Sequence, residues 1–166
     1  MVQLLWDASA LAKEYFSELG SDTVQALFDA GSSVINITTY LCYAETCASL
    51  RRRLNDGRTD PSDFAAARAA LRNEVLLDPA FHLLTLTDTD VLAGVVLIDQ
   101  HNINSADAAL LAAFLEYSRS LASVATTCIL VAADRRLLRA ARTEGLQVID
   151  PEQMPPVDIP SFLGSL

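Results

Sequence analysis

Four carboxylates, Asp7, Glu45, Asp107 and Asp134, occupy positions where an acid has chemical consequences. Asp7 closes the apolar run Val2 to Trp6, and Asp134 follows the run Thr127 to Ala132. Those are the carboxyl ends of strands, where an open parallel sheet binds its ligands. Each of the two also suits a helix N-cap, because an Asp side chain accepts hydrogen bonds from free amides at the positive end of the helix dipole. Glu45 falls about 40° from Leu41 and about 60° from Ala48 around its helix, inside the stripe that should face the core. The plainer alternative is a surface glutamate on a helix whose stripe lies elsewhere. Asp107 heads an apolar face, with Leu110, Leu111 and Phe114 at i+3, i+4 and i+7; its plainer alternative is a first-turn acid held by the dipole. Four acids gathered at one end of a sheet would repel one another and raise each other's pKa values unless a cation sat among them. The chain offers one lysine, Lys13, and two isolated histidines, His82 and His101. A hard divalent metal is the economical solution, and all-carboxylate ligation favours Mg²⁺ or Mn²⁺ over zinc or copper. Such an ion lowers the pKa of a bound water, bridges a phosphoryl oxygen and offsets charge on the leaving oxygen, which fits hydrolysis of a phosphodiester.

The elements that must position these acids alternate. Val2 to Trp6 reads as a strand feeding a helix that extends to Gly20, and Ser21 to Ala30 as a second helix. Val34 to Ile37 is a strand, and Thr38 or Thr39 caps the helix running on to about Leu54. Asp60-Pro61 opens a helix reaching Leu77, stopped by Asp78-Pro79. Phe81 to Leu86 is a third strand, Asp88 to Gln100 a helix, and Asn104 to about Ser120 another, rich in Ala and Leu. Thr127 to Ala132 is the clearest strand. The helix after Asp134 ends at Gly145, and Gln147 to Ile149 forms a last short strand. The pattern predicts an α/β protein with a parallel sheet covered on both faces. Residues 151–166 carry four of the six prolines and are expected to form a tail without regular structure beyond a domain spanning 1–150.

At 166 residues and 51% hydrophobic composition the chain is an ordinary globular domain, able to bury about 70% of its unfolded surface without disulfides or a structural metal. Its net charge of −9 argues against tight, non-specific nucleic-acid binding, though not against a local basic patch. Cys42, Cys47 and Cys128 match no zinc-site spacing and read as reduced core thiols. No segment has the length of a membrane span and the start lacks a signal-peptide pattern, so a cytoplasmic protein with no membrane association is expected.

The stretches LLWDASAL (4–11), AE (44–45), SADA (105–108) and LVAADRRL (130–137) resemble the acidic motifs of PIN-domain ribonucleases, most closely VapC-like toxins of type II toxin–antitoxin systems. The resemblance covers about residues 1 to 150. It implies a three-layer α/β/α PIN-like fold and an Mg²⁺- or Mn²⁺-dependent endoribonuclease. Asp7, Glu45, Asp107 and Asp134 would be the catalytic, metal-binding acids, with Ser9 supporting the first of them. It also implies single-stranded or loop RNA as substrate, products with a 5′-phosphate and a 3′-hydroxyl, a homodimer, and a small antitoxin whose tail lies over the active-site groove. One departure is Ala132, where the family often has Thr or Ser two residues before the last acid. It is the feature that favours the alternative of an inactive PIN-like module binding RNA or a partner.

Setting the four acids aside leaves a charge of −5 of the original −9, so RNA contact needs local positive charge. Arg52 lies about 20° from Glu45 around the helix, within a cluster with Arg51, Arg53 and Arg58, and is positioned to reach a substrate phosphate. Arg135, with Arg139 and Arg142, forms a second stripe; a solvated, salt-bridged helix face is the alternative for both clusters. Leu11, Tyr15, Phe16, Leu19, Leu27 and Phe28 form apolar stripes expected to pair subunits. A receiver-type domain is disfavoured by the lack of adjacent acids after the first strand, and a haloacid-dehalogenase-type phosphatase by Ser9 in place of a second Asp.

Overall fold

A computed structural model describes residues 1–31, 34–124 and 126–165. Five parallel strands, β1 (Val2–Trp6), β2 (Val34–Thr39), β3 (Phe81–Leu84), β4 (Thr127–Val131) and β5 (Gln147–Ile149), lie in the order β3-β2-β1-β4-β5. The chain first builds outward from β1 through β2 to β3, then returns to lay β4 on the other side of β1. The order therefore reverses between β1 and β4, which is where an open α/β sheet forms its crevice. Leu5 pairs with both Ile37 of β2 and Leu130 of β4, so the three central strands end level with one another.

Alternation along the strands divides the core into two layers. Leu5 and Leu130 point to one face, with Leu97, Leu111, Phe114 and Leu138 from the helices α5 (Asp88–His101), α6 (Ser105–Ser120) and α7 (Arg135–Thr143). Leu4, Trp6, Ile129 and Val131 point to the other, where they meet α1 (Ala8–Leu11), α2 (Ser21–Phe28), α3 (Tyr40–Asn55) and α4 (Pro61–Leu71). This is the three-layer α/β/α arrangement predicted. α5 and α6 approach closely because Gly94 lacks a side chain: a Cβ there would lie 2.8 Å from the Ala108 backbone.

Three expectations are corrected. The helix after β1 ends at Glu14 rather than Gly20, after one α turn and one 3-10 turn. Buried Lys13 causes this, because its ammonium donates to the Leu19 carbonyl at 2.9 Å and draws residues 15–20 back over the helix end. The segment after Asp150 has regular structure: a 3-10 turn over Pro156–Asp158 leads into α8 (Ile159–Gly164). Pro156 and Pro160 sit in first turns, where no amide hydrogen is needed, and Ile159, Met154 and Phe162 pack into the core beside α2. Gly20, at φ 88°, lets the chain pass against this segment, since a Cβ there would meet Pro151 at 2.8 Å. Finally, the apolar stripes expected to pair subunits turn inward, apart from Leu19, which is exposed. Leu11 and Leu27 are fully buried, Tyr15, Phe16 and Phe28 pack against the same cluster, and the Phe28 ring contacts Trp6 and Phe81. Exposed apolar side chains gather instead on α5, at Val91, Leu92, Val95 and Val96. Among the described residues no helix is long and apolar enough to cross a membrane.

Candidate functional site

Each acid reaches the crevice by a different local route. Asp7 follows β1, whose end is fixed by the Trp6 indole donating to Asn36 at 2.8 Å and by Thr38 Oγ1 donating to the Trp6 carbonyl at 2.9 Å. It caps α1 by accepting the Ser9 amide. Asp134 follows β4 and caps α7, accepting the Arg136 and Leu137 amides on one oxygen at 2.7 and 3.1 Å. Asp107 lies in the first turn of α6, locked to Asn104 by exchanged side-chain and backbone hydrogen bonds of 2.8 and 2.9 Å. Glu45 projects from α3, whose Thr39 cap receives the Cys42 amide. The capping readings of Asp7 and Asp134 and the first-turn reading of Asp107 are thus correct, and they do not compete with the functional one: these local bonds hold the carboxylates where the strand ends meet.

All four line one cleft of about 280 Å³, together with Ser9, Glu18, Ser49 and Arg52. Ser9 is the fastener between its two central walls. Its hydroxyl donates to Asp7 Oδ2 and accepts the Ala133 amide at 2.9 Å and the Asp134 amide at 3.2 Å, joining the ends of β1 and β4. Among the described residues no hydrogen bond or ion pair holds the Glu45 carboxylate, which is half-buried.

The electrostatics are those of acids gathered in one cleft. Burial pushes the Asp7 carboxyl above its ordinary range, and nearby Asp134 adds to this against the lowering effect of Ser9. Glu45 is raised by burial and then by Asp7, while Arg52 opposes the shift. Asp107 is pushed up to about 7, first by burial and then by Asp7, Asp134 and Glu45. The carboxylates therefore sense one another, as groups sharing a site must. An arrangement of this kind accommodates a hard divalent ion through oxygen donors. Asp7 and Glu45 bring oxygens within 4.8 Å of each other and so fit such an ion, while Asp107 and Asp134 line the same cleft outside that close group.

The basic residues divide. Arg52 faces the cleft, as expected from its angle to Glu45. Its neighbours are otherwise engaged: Arg51 lies over Phe64, Arg53 over Phe16 and against Glu18 at 2.6 Å, and Arg58 pairs with Asp56. Arg135 does not line the acid cleft; it borders a separate depression with Leu138, Arg142, Asp150 and Gln153. Arg139 donates to the His101 carbonyl.

Two neighbours of the site escaped the sequence reading. Glu18 lines the cleft because Lys13 and Arg53 hold it there, a long-range arrangement without a local signal. Cys42 is fully buried, as a core thiol should be, yet its sulfur lies within 4.8 Å of ligand oxygens on both Asp7 and Glu45. Burial first, and then Asp7, pushes its thiol up to about 12. Its place three residues before Glu45, on the same helix face, was the available signal.

No family model matches the chain, and no curated protein matches it in sequence. Solved structures do. Mycobacterium tuberculosis VapC20, a sarcin-ricin loop cleaving toxin, aligns at a TM-score of 0.63 with 17% identity, over 92% of this chain and 99% of its own. FitAB bound to the IR36 DNA fragment aligns at 0.62 with 14% identity, over 92% and 97%. A toxin–antitoxin complex from Klebsiella pneumoniae aligns at 0.55 with 14% identity, over 91% and 99%. The fold of this chain is the PIN-like fold that it shares with these proteins.

Proposed function

We propose that this chain is a VapC-like PIN-domain protein that hydrolyses RNA phosphodiester bonds, the toxin of a type II toxin–antitoxin pair, with Mg²⁺ or Mn²⁺ held by Asp7, Glu45, Asp107 and Asp134. The observation that carries the reading is the cleft itself: four carboxylates from four separate elements line one space at the strand-order reversal, and three of them are raised by burial and by one another. The shared fold with toxins supports it.

A bound Mg²⁺ or Mn²⁺ supplies a Lewis acid for the phosphoryl oxygens and an activated water for in-line attack. The protein supplies the rest. Ser9 holds the Asp7 carboxylate against the β4 end, so the two acids that flank β1 and β4 keep a fixed separation. Glu45, on which no hydrogen bond falls among the described residues, would supply a further carboxylate to hold the ion. Asp107, raised first by burial and then by the neighbouring acids, would be a further oxygen ligand to the ion from the first turn of α6. Arg52 binds a substrate phosphate at the cleft mouth, and Arg135, exposed on α7, contacts the RNA strand farther out. Ser9 also bears on Ala132: the amide next to that methyl is already satisfied by the Ser9 hydroxyl, so a hydroxyl at 132 is not needed to order this strand end.

The partner is a small antitoxin whose segment covers the acidic cleft. A second copy of this chain completes the toxin, and because all of the expected stripe except Leu19 packs into the core, the exposed row on α5 is the surface we assign to it. The proposal is tested by Mg²⁺-dependent cleavage of a panel of structured RNAs by purified protein and by its Asp7→Asn variant. Cleavage lost with EDTA and with the variant is expected; a chain that binds RNA without metal-dependent cleavage is the inactive module instead.

A further inference from the structure

We propose that the cup also captures a thiophilic divalent ion, of the class of Zn²⁺ or Cd²⁺, through the Cys42 sulfur with the Asp7 and Glu45 carboxylates, and that such an ion blocks the site. The capture stands on geometry alone; only the blocking rests on the nuclease reading.

Cys42, Asp7 and Glu45 each offer one ligand atom, and the three lie within 4.8 Å of one another. Zn²⁺ binds sulfur at about 2.3 Å and carboxylate oxygen at about 2.0–2.2 Å. Tetrahedral ligands of those lengths sit about 3.6 Å apart, so closing the site takes side-chain movements of about 1 Å. The anchors are rigid while the tips can move. Cys42 lies in the capped first turn of α3, its amide held by Thr39 Oγ1 at 3.1 Å. Both Ser9 bonds to Asp7 fall on Oδ2, leaving Oδ1 to coordinate. Asp7 is only 4% exposed and Cys42 not at all, so a metal bound here is withdrawn from water. Glu45 has the freedom to follow the ion in.

Ligand softness separates the two metal classes. Magnesium takes oxygen and leaves sulfur aside, whereas a thiolate favours zinc and its heavier analogues. When the metal–sulfur bond forms, the thiol proton passes to solvent and nothing is oxidised or reduced. The other cysteines make sound controls: no comparable group of donors surrounds Cys47 or Cys128 among the described residues.

The experiment titrates metal-free full-length protein with Cd²⁺ and follows the near-ultraviolet thiolate-to-metal charge-transfer band, with cadmium NMR reporting sulfur in the coordination shell. A band saturating at one ion per chain is expected. It should persist in a Cys47→Ser, Cys128→Ser double variant and weaken with an affinity loss of about tenfold or more in Cys42→Ser. Excess Mg²⁺ should shift the Cd²⁺ titration to higher concentration. No sulfur signal in the wild type, or a band unchanged by Cys42→Ser, overturns the proposal. Should Cys42→Ser not fold, Asp7→Asn, which keeps the thiol and removes an oxygen, must weaken the band. Zn²⁺ inhibition of Mg²⁺-supported cleavage, normalised to each variant's own uninhibited rate, tests the blocking. A sulfur band in a protein that cleaves no RNA leaves the capture standing and removes the nuclease reading.

Discussion

Two neighbouring regions treat their acids in opposite ways. Beside the cleft, Lys13, only 5% exposed, lies 3.2 Å from Glu18 and 2.8 Å from Glu152, and Arg53 reaches the other Glu18 oxygen at 2.6 Å. Every acid there has its own cation, and the knot ties the chain after α1 and the segment before α8 to the core. In the cup, Asp7, Glu45 and Asp107 face one another and Asp134 with only Arg52 near, and their carboxyls rise. Glu18 borders both regions. Paired acids hold the architecture together; the converging acids are the ones to which the proposed function assigns a cation. A raised carboxyl is not enough by itself. Glu14 is pushed to about 7 by burial and by Glu74 and Asp29, yet no cluster of ligand atoms forms around it among the described residues.

The largest effect that separates the two regions is catalytic. Asp7→Asn and Glu45→Gln should each reduce RNA cleavage at saturating Mg²⁺ on the order of a thousandfold. Lys13→Met, assayed where it is folded, should cleave within a few-fold of wild type; an equal loss in Lys13→Met would erase the distinction. Next is stability. Lys13→Met leaves Glu152 without Lys13 while Glu18 keeps Arg53, and with both glutamates partly solvated it should cost about 1–2 kcal/mol, lowering the thermal midpoint by about 5 °C for a chain of this size. Metal separates the regions to a similar degree. Mg²⁺ at a hundred times its dissociation constant should add about 2.7 kcal/mol to the wild type and to Lys13→Met alike, and far less to Asp107→Asn, as read by calorimetry with and without EDTA.

The pH dependence of the metal-free protein is a smaller and more specific test. Because Asp107 is raised from 3.8 to about 7, the native state holds a proton that the unfolded chain releases between those values. Stability therefore falls as pH rises through that window, with Asp7 and Glu45 acting in the same direction. In EDTA, Asp107→Asn should flatten the dependence and melt above wild type at pH 8. A variant that melts earlier would show that the carboxylate is structural, like those of the knot. Smallest, Arg52→Ala should raise KM for RNA by about three- to tenfold with little change in kcat, since one exposed charged contact is removed.

Much of the scaffold could be read locally. The strands β1, β2 and β4 and the caps at Asp7, Thr39, Asp60, Asn104 and Asp134 follow from apolar runs meeting short polar residues, interactions that span only a few positions. The same rules placed Glu45 on an inward stripe and Asp107 at the head of another. They failed where the decisive partner lies far away. Lys13 and Glu152 are separated by 139 positions, so neither the early end of the first helix nor the docking of the prolines after Asp150 could be anticipated. The angle to Glu45 singled out Arg52 correctly, whereas the pairing of its neighbour Arg53 with Glu18, 35 residues earlier, had no local signal.

Sequence alone determined the alternation of strands and helices and the identity of the four acids, because periodicity and capping act within a turn or two of chain. Tertiary structure decided that the acids share one cleft, that Cys42 lies beside Asp7 and Glu45, and that the apolar stripe of the first two helices, Leu19 apart, packs into the core. Those outcomes depend on the strand order, which folds β4 back beside β1 and brings together side chains that the chain itself keeps more than a hundred residues apart.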